Sequence, residues 1–179
     1  YLSRVGDDGL MLLAVPDERL GLRLANTMFF TKFMGETLVL LHGGPPIAES
    51  LHARLIDAQR RALTFLLQSD AALEQGRRFS NQYGNTFAGA YAYLSVQDDP
   101  ALRALLVERL PHIAPHLQSP AGYFYENDSV DFGYSLGTHH SNLQMAWHYA
   151  GKTGMETDWL AREASAWAEW LSYNAVPEP

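Results

Sequence analysis

Hydrophobic side chains recur along this chain every three or four positions, the period of an α-helix. After Pro16-Asp17 the series Leu20, Leu24, Met28, Phe29, Phe33 and Leu40 keeps that period until Gly43-Gly44-Pro45-Pro46 stops it, which predicts one long helix or two short ones over 17–41. Leu51, Leu55, Ala58, Ala62 and Leu66 form a clean stripe with Arg54, Asp57, Arg60 and Arg61 off it, predicting a helix over 47–67 that ends at Ser69-Asp70. Ser80 is a capping residue for a helix over 80–96, rich in the small residues that let helices approach closely. Asp98-Asp99-Pro100 starts another over 100–110, which Pro111 and Pro115 should bend or end. Two more are expected over 137–150 and 156–173, with Trp147, Trp159, Trp167 and Trp170 as core residues. The run Leu10 to Val15, after the turn Asp7-Asp8-Gly9, reads as a strand or the end of a helix. Nothing else alternates with period two. The expected fold is all-α, one domain over 1–179 of antiparallel helix hairpins joined by short turns, forming an α/α toroid or part of one, or else an irregular bundle.

Composition narrows the function classes. The 179 residues are 47% hydrophobic, enough for one core and too few for two domains. Thirteen Lys and Arg against 20 Asp and Glu give a net charge of −7, so no basic field exists to hold a nucleic-acid backbone or an anionic membrane surface. No apolar run is long enough to span a bilayer. Zero cysteines remove disulfides, thiol nucleophiles and Cys-ligated metals together. His112 and His116 have helical ligand spacing but Pro115 between them and no third ligand, and His140 and His148 are two turns apart, so no metal or other cofactor is expected. The start at Tyr1 reads as a processed end or a cut through a longer chain.

Polar and aromatic residues concentrate in two places. The first is Phe79 to Asn85, where Asn81 and Asn85, four apart, share a helix face; their amides either point at one ligand or serve as a cap and a buried amide satisfied by backbone. The second is a long ordered loop, 119–137, that carries Tyr123, Phe124, Tyr125, Glu126, Asp128, Asp131, Phe132 and Tyr134. Aromatic rings among carboxylates suit a sugar, whose rings offer C–H faces for stacking and hydroxyls for hydrogen bonds; the alternative is an Asx-rich loop bonding its own backbone. His139 and His140 follow at an expected helix start, where the helix dipole favours the neutral, base-competent imidazole. Tyr134, anchored just before that helix, is expected as a buried phenol facing a cleft.

From Asn81 to about Trp170 the order of these features resembles the alginate lyase and heparinase II/III-like group of α/α-toroid polysaccharide lyases. The likeness rests on Ser80-Asn-Gln-Tyr-Gly-Asn85, Gly122-Tyr-Phe-Tyr-Glu126, Asp131-Phe-Gly-Tyr134, Asn142 and Gly151-Lys-Thr-Gly154, covering about half the chain. It implies β-elimination on an acidic polysaccharide: a neutraliser of the uronate carboxylate, a base for the C5 proton and an acid for the leaving oxygen. Carried over by type and order, Asn81 or Asn85 is the neutraliser, His139 or His140 the base or carboxylate partner, and Tyr134 the acid or base. Glu126 and Asp131 hold the others in place, Tyr123 and Tyr125 stack on sugar, and Arg77 with Arg78 grips the polyanion. The resemblance also implies a periplasmic or secreted protein and, because a whole toroid needs more helices, a partner domain or a second copy. A glycoside hydrolase with Glu126 as acid and Asp131 or Asp128 as base, and a helical binding module without chemistry, are the competing expectations.

Overall fold

The computed structural model describes residues 5–12 and 19–174. The chain is helical, with α1 over Leu20–His42, α2 over Glu49–Gln68, α3 over Asp70–Arg78, α4 over Ser80–Leu94 and α5 over Pro100–Ile113. A short α6 over Phe132–Tyr134 runs through a π-helical turn, Ser135–His139, into α7 over His140–Thr153, and α8 spans Asp158–Asn174. The described residues contain no strand, only isolated bridges such as Val5 with Met11. None of their helices is long and apolar enough to cross a membrane. The apolar run expected from Leu10 falls partly outside the described residues, and the helix start expected at Pro16-Asp17 lies wholly outside them.

The central element is α4, in which every residue except Gln82 and Gly84 is buried. It packs most extensively on α1 and next on α7, with α3 also against it. Small residues make this possible. A Cβ at Gly89 would overlap the Thr31 carbonyl of α1, and one at Gly35 would lie 2.8 Å from the Gly89 carbonyl oxygen. Gln59 of α2, itself buried, donates from Nε2 to the Thr31 carbonyl at 2.8 Å, tying a third helix to the crossing.

Several boundaries differ from expectation for local reasons. The helix expected to stop at Ser69-Asp70 is followed at once by α3, because Ser69 ends α2 and also caps α3, its side chain accepting from the Ala72 N–H at 3.2 Å. Pro111 does not end α5, which continues to Ile113 before a 3₁₀ turn at Ala114–His116. Pro111 and Val107, the residue whose carbonyl loses its helical partner, both lie on the exposed face of α5. Helix resumes at Phe132 rather than 137, because the Asp131 side chain caps it by accepting from the Tyr134 N–H at 3.0 Å. On α1 the buried face is Leu24, Thr27, Met28, Thr31, Met34 and Leu38, while Phe33 and Leu40 are 61% and 74% exposed. Trp147, expected in the core, is 47% exposed; Trp159 and Trp167 are buried.

Candidate functional site

The segment between α5 and α6 is built from tight turns. Ser119 donates its N–H to the Tyr123 carbonyl and Gly122 to Ser119. Gly122, at φ +102°, presses so closely on the Ala166 carbonyl of α8 that no side chain would fit. Gln118 locks the same corner, donating from Nε2 to the carbonyls of Gly122 and Glu163. Further on, Glu126 and Ser129 exchange backbone hydrogen bonds across Asn127 and Asp128, both at left-handed φ, an arrangement that Asn and Asp tolerate better than other side chains.

This folded loop seats on the beginning of α4. Ser80 donates both its backbone N–H, at 3.0 Å, and its hydroxyl, at 2.7 Å, to the Tyr125 carbonyl. The Asn127 N–H donates to the Arg78 carbonyl, and the Asn81 amide donates to the Glu126 carboxylate. Arg78 reaches across to Asn127 Oδ1 at 3.1 Å and to Asp128 at 3.6 Å. The two polar-aromatic segments thus form one surface. Arg77 pairs instead with Glu74 of its own helix.

Behind this surface lies a buried polar layer. His139 is 3% exposed, with Nε2 at 2.7 Å from Ser80 Oγ and its ring stacked 4.0 Å from Phe124. The one Ser80 hydroxyl proton goes to the Tyr125 carbonyl, so His139 carries its proton on Nε2 and donates to Ser80. Desolvation pushes its pKa down to about 3, which makes it neutral; burial, not the helix dipole, is the cause. Asn85 donates to the Asn81 carbonyl at 2.8 Å, the backbone-satisfied arrangement of the two weighed from sequence. Asn142 donates to the same carbonyl at 2.9 Å and accepts from Lys32 Nζ at 2.8 Å. Burial lowers the pKa of Lys32 while Glu36 opposes that shift. Asn81 Oδ1 is buried without a hydrogen-bond partner.

The groups that face solvent are different ones. Glu126 is half-buried; burial raises its pKa, with Asp131 adding to the shift and the Asn81 amide opposing it. Tyr125 and Tyr123 stack edge to face at 5.6 Å, Tyr123 meets Trp170 at 5.7 Å, and Trp170 meets Phe132 at 5.3 Å, an aromatic strip along the loop and α8. Tyr134 is 49% exposed and not the buried phenol expected, and His140 is exposed beside its buried neighbour His139. Sequence reasoning overlooked Lys32; a single cation in the otherwise uncharged stretch 24–35 was the available signal. It also overlooked Glu163, which lines a small cavity with His139 and whose pKa desolvation pushes up to about 8. No group of three or more His, Asp or Glu among the described residues could hold a metal ion. In comparisons with family models, curated proteins and solved structures, none matches this chain at a significant level.

Proposed function

We propose that this chain is the helical part of a carbohydrate-active enzyme that cleaves an acidic polysaccharide by β-elimination, its helices paired as hairpins in an arc of an α/α toroid. The observation that carries this reading is the meeting of Asn81 with Glu126, 45 residues apart, which joins an amide, a carboxyl, the Arg78 guanidinium and an aromatic strip on one surface. The Asn81 amide already donates to a carboxylate, so a uronate carboxylate displacing Glu126 would meet the same donor. In the reaction the C5 proton leaves to a base, the C4–O bond breaks, its electron pair stays on the leaving oxygen, which takes a proton, and a C4–C5 double bond remains. Tyr134, the exposed phenol of the candidate set, is assigned to both proton transfers. Asn85 and His139 are assigned to positioning, because Asn85 donates to backbone carbonyls and His139 to Ser80; Asn81, 2% exposed, meets a substrate carboxylate only where Glu126 moves aside.

Glycoside hydrolysis is the second reading, favoured by the raised proton affinity of Glu126, which suits a general acid. The two differ in product. Incubation with alginate, heparan, chondroitin and pectate, followed by ultraviolet absorbance, reveals elimination through its unsaturated uronate, whereas hydrolysis releases reducing ends without that absorbance. Tyr134→Phe keeps the ring and removes the hydroxyl, so the melting temperature should hold while turnover falls by roughly 10²-fold or more. A Phe variant as active as the parent would remove Tyr134 from the mechanism, and release of saturated sugars alone would replace elimination with hydrolysis.

A further inference from the structure

Between α7 and α8 runs an open groove of about 620 Å³, within the usual range of small-ligand sites. Its floor is apolar, from Leu143, Trp167 and Leu171. One edge is the exposed Trp147, and along α7 stand His140, Gln144 and His148, each four residues, a rise of about 6 Å, beyond the last. The side chains of His140 and Gln144 have no hydrogen-bond partner among the described residues, in contrast to the fully engaged Asn142 on the other side of the same helix. No Asp, Glu, Lys or Arg lines the groove, and Glu163 and Glu169 flank it in sequence on α8.

We infer that this groove is a binding subsite for an uncharged pyranose ring. An indole beside a row of free hydrogen-bonding groups matches the two characters of such a sugar, apolar on its C–H face and polar around its rim. A uronate would find no cation in the lining to neutralise its carboxylate. A packed helix of a second copy or another protein would cover His140 and Gln144 with apolar side chains and leave them unpaired. The ligand class rests on the carbohydrate reading above, whose uronate site uses Asn81 and Glu126, neither of which lines this groove.

The test is titration of the whole chain, with its tryptophan indole N–H resonances followed by NMR, against neutral cello-, malto-, manno- and chito-hexaose and against an oligouronate. Trp147 should shift with at least one neutral hexaose, with a dissociation constant in the millimolar range or below. Trp147→Ala and Gln144→Ala should each weaken that binding roughly tenfold, whereas Phe33→Ala, an exposed aromatic outside the groove, should not. No shift of Trp147 with any neutral hexaose at about 10 mM, tighter binding of the oligouronate there, or a concentration-dependent dimer that buries Trp147 would each overturn the assignment. Neutral-sugar binding by a protein that forms no unsaturated product would uphold the groove and defeat elimination, and cleavage of uronides without such binding would do the reverse.

Discussion

His139 and Glu163 line the same small cavity and are displaced in opposite directions by the same cause, desolvation that disfavours charge. The histidine falls from 6.5 to about 3, so the unfolded chain binds more protons there and stability rises with pH between those values, by up to about 1.4 kcal/mol per pH unit. The glutamate rises from 4.5 to about 8, so the folded chain binds more protons and stability falls as pH climbs through that window; Glu126, also raised, acts in the same sense. Between pH 4.5 and 6.5 the two slopes offset each other. Urea denaturation across pH should therefore show a plateau there, a decline below it from His139 and a decline above it from Glu163. Glu163→Gln should flatten the alkaline decline; an unchanged slope would mean that its carboxyl is hydrated in solution.

At the scale of elements, the closest contact is the crossing of α1 and α4 at Gly89, where the two backbones nearly touch and Gln59 bonds the Thr31 carbonyl. Gly89→Ala has to push the helices apart and should destabilise the protein by about 2–3 kcal/mol, read as a lowered urea midpoint. Gly151 on α7 faces open space in an exposed helical position, so Gly151→Ala should instead stabilise by up to about 1 kcal/mol. Equal effects from the two substitutions would show that helix propensity, and not the crossing, governs both. Helix limits were legible in the sequence where the signal is local, as with Asp99-Pro100 starting α5 and Gly154 closing α7 in a left-handed turn. The end of α2 at Ser69 was legible as well, but α3 was missed, because the residue that ends one helix also caps the next.

Across the whole molecule burial is uneven. Nearly all of α4 is enclosed by α1, α3 and α7, whereas α8 fully buries only Trp159, Leu160 and Trp167 among its 17 residues and leaves Glu163 half-buried. Amide hydrogens of α4 should thus exchange only on global unfolding, and those in the C-terminal half of α8 should exchange earlier through local opening. Matched protection in both helices would mean that α8 is held by contacts beyond those described. The aromatic strip and the groove both use α8, so ligand binding at either should slow its exchange.

The amino-acid sequence by itself determined the all-α character, where most helices lie, and that polar and aromatic residues concentrate in 79–85 and 119–140, because caps, turns and apolar period depend on neighbours a few positions apart. It did not decide which face of α1 is buried, since apolar side chains surround that helix and no stripe stands out. Nor could it pair Asn81 with Glu126, bury His139 while exposing His140, or recruit Lys32 to Asn142 across 110 positions. Those outcomes follow from how preformed helices dock. The narrow glycine crossing of α1 on α4 and the seating of the 119–131 turns on Ser80 place these side chains, and both are long-range contacts with no local spacing to announce them.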